Sequence, residues 1–155
     1  MQIWVDADGC PAAIRDIVWR AADRTGVLAT FMANHHISLP GSRFVRSRQV
    51  AGGFDVADNT IAALVSPGDL VITQDIPLAA EVIGRGAAAL SPRGEMFSSD
   101  SIAGRLTMRN FLDTMRSSGL QSGGPPPLSQ RDRQQFASQL DSYLARRDKG
   151  DQTVG

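Results

Sequence analysis

The sequence predicts an α/β fold: a mainly parallel sheet of four or five strands, helices on both of its faces, and a C-terminal helix. Three observations predict it. Short apolar runs alternate with helical stretches over most of the chain, the order that builds βαβ units. The apolar runs are continuous rather than alternating, as in strands buried on both faces. Pro and Gly fall between the runs rather than inside them.

Gln2 to Val5 reads as a buried strand that ends in the acidic turn Asp6-Ala7-Asp8-Gly9. Pro11 suits the first position of a helix, and Ile14, Ile17, Val18, Ala21 and Ala22 then form one apolar stripe. Gly26 ends that helix, and Val27 to Met32 is the second strand. Asn34 to Arg48 reads as a polar loop with a short extended piece near Phe44-Val45. Val56 to Val65 is expected to be helical, with Ala57, Ile61, Leu64 and Val65 on its apolar side, closed by Pro67-Gly68. Leu70 to Thr73 is the next strand, followed by Gln74-Asp75, a helix from Pro77 to about Arg85, and a strand over Ala87 to Leu90.

Ser101 to Arg116 is a further helical stretch, and residues 117–128, with Gly123-Gly124-Pro125-Pro126-Pro127, form a loop. Ser129 and Asp132 match a capping box with Asp in the acidic position. They open a last helix with Phe136, Leu140, Tyr143 and Leu144 on one side, running to about Arg147. Residues 1–147 are thus expected to be a single domain, and 148–155 a disordered tail.

Composition narrows the class of function. The 155 residues suffice for one domain with a core that needs no disulfide staple. Cys10 is the only cysteine, which excludes a disulfide framework and a cysteine-based zinc cluster. No apolar run reaches the ~18 residues that span a bilayer, and no leader pattern precedes the first strand, so the cytoplasm is the expected location. The formal net charge is zero, which argues against a broad nucleic-acid-binding surface. Its make-up is biased: fifteen of sixteen basic residues are Arg, and fourteen of sixteen acids are Asp. Arg matches phosphate as a fork, and Asp is a short ligand for hard cations; a skewed base composition would produce the same Arg bias.

The aspartates carry the chemistry. Asp6 and Asp8 follow the first strand and Asp75 follows the strand at Leu70 to Thr73. In an open parallel sheet, ligands bind outside the carboxyl ends of the strands. Asp55 and Asp58 share a face at a helix start, and Asp58 continues the Ile61/Val65 stripe toward the sheet. Carboxylates converging this way are stabilised by a divalent cation, and all-oxygen ligation selects Mg²⁺ or Mn²⁺. Each has a plainer reading too: Asp55 as a helix cap, Asp8 and Asp69 as turn residues.

Three segments go further. Val5-Asp6-Ala7-Asp8-Gly9-Cys10-Pro11, Gly53-Phe54-Asp55-Val56-Ala57-Asp58-Asn59-Thr60-Ile61, and Gly68 to Ala79 with its Thr73-Gln74-Asp75 resemble the YaiI/YqxD family of bacterial proteins. Arg109-Asn110-Phe111 and Gly123-Gly124-Pro125 extend the resemblance over residues 2–145. That family in turn resembles PIN-like nuclease domains, which implies a three-layer fold, an RNA substrate and Mg²⁺- or Mn²⁺-dependent phosphodiester hydrolysis. The resemblance assigns the catalytic positions to Asp6, Asp58 and Asp75, with Asp8 and Asp55 as further metal ligands. PIN domains usually add a Glu from an earlier helix, and neither Glu81 nor Glu95 is placed for it.

Arg109, in the matched motif, and Arg93, after the strand ending at Leu90, are the expected phosphate contacts. Arg105 and Arg116 fall near the same helix edge as Arg109. His35-His36 reads as an exposed pair, and Cys10 as a buried structural thiol. Two alternatives stand beside the nuclease. Asp6-Ala7-Asp8-Gly9 resembles the Asp-x-Asp start of haloacid-dehalogenase-like phosphatases, but the only Lys is Lys149 in the tail. The acidic edge would also serve a non-catalytic metal- or nucleic-acid-binding module.

Overall fold

The computed structural model describes residues 1–35, 37, 39, 41–50, 56–104 and 128–154, with residues 56–59 and 147–154 described as backbone only. Five strands form one sheet: β1 (Gln2–Asp6), β2 (Leu28–Ala33), β3 (Val45–Gln49), β4 (Leu70–Ile72) and β5 (Ala88–Leu90). Their order is β3-β2-β1-β4-β5, and every pairing is parallel. The helices are α1 (Ala12–Thr25), α2 (Val56–Leu64), α3 (Ile76–Gly84) and α4 (Gln130–Val154). Residues 99–104 are helical as well.

Side chains alternate across the strands and divide the core in two. Ile3, Val5, Ala29, Phe31, Leu70, Ile72 and Leu90 face α1 and α4, against Ile14, Val18, Phe136, Leu140 and Leu144. Trp4, Met32, Val71 and Ala89 face α2 and α3, against Ile61, Ala62, Leu78, Ala79 and Val82. The result is the three-layer α/β arrangement that the alternating elements predict. Crossovers between parallel strands are right-handed, so a chain that winds outward to β3 and then returns past β1 to β4 must cover both faces.

Several details differ from the sequence expectation. The extended piece near Phe44-Val45 is a full edge strand, paired with β2 from Ala29↔Val45 to Ala33↔Gln49. Its residues after Val45 are exposed, so the apolar signal is missing and Arg46 and Arg48 guard the open edge. Pro11 is the N-cap of α1 rather than its first residue. Leu64 is 41% exposed and lies off the buried side of α2. The backbone of α4 is helical to Val154, past Arg147 and into the expected tail, and Leu144 is the last of its described side chains in the core. Among the described residues no helix is long and apolar enough to cross a membrane.

Asp69, expected as a turn residue, does that and more. Its Oδ2 accepts from Ser66 N–H at 3.0 Å, closing the turn into β4. The same carboxylate accepts from Gln2 N–H at 2.9 Å and from Trp4 Nε1–H at 3.0 Å. At 4% exposure it is a buried anion held by three donors, bracing the amino ends of β1 and β4. Asp69→Ala orphans those donors and is expected to cost about 3 kcal/mol, read as a lowered urea midpoint.

The helix α4 begins as the capping box predicts: Asp132 N–H donates to Ser129 Oγ and Ser129 N–H to Asp132 Oδ2, both at 3.0 Å. It then presses on the turn after β5. A Cβ built on Gly94 would stand 2.6 Å from Phe136 N and 2.7 Å from the Gln135 carbonyl carbon, at φ +90°. Gly68 has a similar φ of +88° but open space around it. Gly68→Ala is therefore expected to cost about 1–2 kcal/mol, for backbone strain alone. Gly94→Ala adds a clash against backbone and should exceed it by at least about 1 kcal/mol. Equal losses in thermal unfolding would show that α4 does not sit against this turn.

Candidate functional site

The order of the strands makes β1 the place where the winding reverses, with β2 on one side and β4 on the other. Parallel strands of this kind open a crevice at their carboxyl ends at such a reversal. Asp6 is the last residue of β1, and the register Val5↔Ile72 carries Thr73 alongside it. Thr73 is 1% exposed, and its N–H donates to the Leu90 carbonyl at 3.1 Å. Its hydroxyl donates to Asp6 Oδ2 at 3.0 Å and accepts from Asp75 N–H at 3.0 Å. Because the backbone N–H occupies an acceptor lone pair, the hydroxyl proton is directed at Asp6. One buried threonine thus ties two acidic positions distant in sequence.

Asp75 also caps α3. Its Oδ1 accepts from Leu78 N–H at 3.0 Å, and Pro77 stands in the first turn, where no N–H is needed. The capping reading and the functional one therefore coexist: the cap uses one carboxylate oxygen and fixes the direction of the other. Asp8 sits in a 3-10 turn over Ala7–Gly9 and reaches across to the end of β2. It accepts from Asn34 N–H at 3.1 Å through Oδ2 and lies 2.9 Å from His35 Nδ1 through Oδ1.

The Thr73 hydroxyl thus links the Asp6 carboxylate to the backbone of Asp75, and Asp8 lies on the β2 side of Asp6. Asp58 belongs to the first turn of α2, which packs against β1, but its side chain lies outside the described residues. Asp55, Arg105, Arg109, Arg116 and His36 also lie outside them. Among the described residues, no three His, Cys, Asp or Glu side chains form a group able to hold a metal ion. Asp6 and Asp75 offer hard oxygen donors of the kind Mg²⁺ and Mn²⁺ take, so the donor chemistry fits such an ion and needs Asp58 or Asp55 to complete it.

Arg93 lies at the same edge, after β5, where its Nη1 donates to Asp132 Oδ2 at 2.7 Å. The Ser129 N–H, above all, and Arg93 hold the Asp132 carboxyl below the usual carboxylate range. A cleft of about 220 Å³ opens there, walled by Ile76, Pro92 and Phe97 and rimmed by Gln74, Arg93 and Glu95. A larger concavity of about 590 Å³ lies elsewhere, by Met1, Gly68 and Ala88 at the amino ends of the strands, with Tyr143 and Arg146 of α4. No acidic side chain is among its described lining residues.

Thr73 and Asp69 carry roles that residue type alone did not reveal. Thr73 belongs to the Thr-x-Asp motif, but its hydroxyl acquires meaning only when β4 is placed beside β1.

Cys10 is buried, and burial pushes its thiol up to about 12, with Arg15 opposing and Asp6 adding to the rise. At pH 8 iodoacetamide should modify it on the order of 10³-fold more slowly in the folded protein than in urea. The fold prefers the neutral thiol, so its contribution is complete below pH 9.0, the ordinary thiol value, and is lost as pH rises toward about 12. Cys10→Ala should remove that component of the alkaline loss in unfolding titrations. Rapid labelling of the folded chain would contradict the burial.

Comparison with known proteins places the chain among relatives. The family model described as "Uncharacterized BCR, YaiI/YqxD family" matches residues 4–146. A UPF0178 protein of Thioalkalivibrio sulfidiphilus is 62% identical over 147 residues, covering 95% of this chain and 100% of the relative. UPF0178 proteins of Pectobacterium carotovorum and Yersinia enterocolitica are 62% and 60% identical over 144 residues, covering 93% of this chain and 96% and 95% of theirs. No solved structure matches. With the motifs at Asp6, Asp58 and Asp75 inside the matched span, the chain belongs to the YaiI/YqxD family.

Proposed function

We propose that this protein is a Mg²⁺- or Mn²⁺-dependent nuclease that hydrolyses phosphodiester bonds, of RNA first, at the carboxyl edge between β1 and β4. The observation that carries the reading is the Thr73 hydroxyl joined to both Asp6 Oδ2 and Asp75 N–H at the reversal of the sheet. The Asp6 carboxylate held by Thr73 and the Asp75 carboxylate held by the α3 cap are each oriented before a substrate arrives.

Asp6, Asp58 and Asp75 would hold the cation. The topology supports Asp58 in this role, since α2 follows β3 and starts at the edge where all strands end. A bound divalent ion supplies Lewis-acid polarisation of the phosphoryl oxygens and a water acidified enough to attack. The protein's own part is to orient. Thr73 keeps the Asp6 carboxylate turned by donating to it, and the α3 cap leaves Asp75 its Oδ2 for the ion. The N-terminus of α3 adds its positive dipole end beside Asp75, which favours anionic groups there.

The aspartyl-phosphate alternative gains nothing from the geometry. Asp8, its general acid, is engaged by Asn34 and His35, and no Lys other than Lys149 exists in the chain.

A panel of single-stranded and duplex RNA and DNA oligonucleotides with Mn²⁺ or Mg²⁺ tests the reading. Cleavage is expected with RNA, abolished by chelation, and lowered on the order of 10²-fold or more by Asp6→Asn and Asp75→Asn. Thr73→Val, which keeps the shape and deletes the hydroxyl, should lower it about 10–100-fold while the fold persists in circular dichroism. No cleavage of any strand with either metal would reject the proposal, leaving a non-catalytic binding module.

A further inference from the structure

Charge is segregated along the chain although its sum is zero. Residues 24–54 contain four Arg, both His and no Asp or Glu, while the remaining twelve basic residues share the rest of the chain with all sixteen acids. Arg24 of that stretch is paired with Asp141 at 2.7 Å. Arg43, Arg46 and Arg48 are exposed and form no ion pair among the described residues. Arg46 and Arg48 belong to the edge strand β3, and Arg43 precedes it. Guarding an open edge requires charge of either sign. A stretch without a single acid is a stronger condition, and it selects an anion.

The register relates this strip to the acidic edge. Asp6 pairs with Met32 and Met32 with Arg48, so the three form one row across β1, β2 and β3. Trp4, Thr30 and Arg46 form a parallel row two residues earlier. Partners on adjacent strands direct their side chains to the same face, and Trp4 and Met32 face α2 and α3. Asp6, Arg46 and Arg48 therefore share that face. Two strand spacings, ~10 Å, separate the backbones of Arg48 and Asp6. The helix α2 packs on β1 and β2, and both arginines stay exposed beside it. They stand ~7 Å apart along β3, close to the separation of successive phosphates in an extended single strand. Asp8, the acid that reaches the end of β2, is engaged by Asn34 N–H and His35.

We propose that Arg46 and Arg48 form a phosphate track on β3 that holds the backbone of a single RNA strand where it approaches Asp6. The proposal rests on the nuclease reading for the identity of its ligand. Each guanidinium offers phosphate a fork of N–H donors, and contacts of this kind fix register without reading sequence. A narrow track also accords with a net charge of zero, which a broad binding surface does not.

The test uses the full chain and fluorescence anisotropy of a labelled single-stranded RNA across a salt series, with Ca²⁺ replacing Mn²⁺ to suppress cleavage. Arg46→Gln with Arg48→Gln should flatten the slope of log affinity against log salt by about 1.4, at ~0.7 per phosphate contact, and weaken binding ~10-fold at low salt. Arg20→Gln with Arg146→Gln removes the same charge from exposed positions of α1 and α4, on the other face of the sheet, and should shift the slope by less than about 0.3. Arg46→Glu with Arg48→Glu keeps the edge charged against self-association while repelling phosphate. It should weaken binding more than the Gln pair does, and it carries the test if the Gln pair aggregates in light scattering. An unchanged slope with the Gln pair, unchanged affinity with the Glu pair, or an equal loss with the α1 and α4 pair overturns the track. So does failure to bind any single strand, with or without binding to phosphatidylserine vesicles. Hydrolysis of bis(p-nitrophenyl) phosphate by the unaltered protein with Mn²⁺, a phosphodiester without flanking phosphates, is read separately. Hydrolysis with an unchanged salt slope removes the track alone; a flattened slope in a protein that hydrolyses nothing keeps the track and removes the nuclease.

Discussion

The parallel pairing of β1 with β4, Val5 beside Ile72, is the constraint on which the other features depend. It puts Asp6 and Thr73 on neighbouring strand ends. It also forces the chain to reverse its winding at β1, and the two core faces follow from that reversal. Continuous apolar runs make the pairing favourable: residues 3–5 and 70–72 are all buried, and each large side chain contributes about 1.5–3 kcal/mol by leaving water. The slip of even one residue would turn Trp4 toward α1 and Val5 toward α2, so the register is strongly specified.

Aspartates at the two ends of the same strands do opposite work. At the amino end, Asp69 is buried and each of its hydrogen bonds is to a fixed donor of β1 or of its own turn. Its charge is spent on holding strands together. At the carboxyl end, Asp6 and Asp75 are only partly buried and share Thr73. The difference arises from the sheet: amino ends receive tight turns that bury polar groups, whereas carboxyl ends at a reversal splay apart and leave a crevice.

The helix α4 connects these two edges. Tyr143 donates to the Gly68 carbonyl at 2.9 Å near the amino ends, where burial pushes its phenol up. Near the carboxyl ends, Arg93 meets Asp132 and Gly94 lies under the Phe136 backbone. A capping box at Ser129 starts the helix where this second contact needs it. The cleft beside Asp75 is bounded by a turn that α4 holds in place, so packing far along the chain shapes the surface next to the acidic residues.

Much of this was legible from residues alone, because the signals were local. Continuous apolar runs marked the buried strands, the stripe from Ile14 to Ala22 marked α1, and Ser129 with Asp132 marked the start of α4. The Asp6 and Asp75 positions stood out for the same reason, each being an acid set after an apolar strand. The edge strand Val45–Gln49 was only partly visible, since a strand with exposed Arg46 and Arg48 has no apolar pattern to read. What tertiary structure alone decided was adjacency. No property of Thr73 in isolation says that its hydroxyl will sit between two aspartates, nor that Asp69 will bury its charge against Trp4, nor that Arg93 will meet Asp132. Each depends on which strands lie side by side, and that order is chosen by the burial of both sheet faces at once, a balance summed over the whole chain rather than written at any one position.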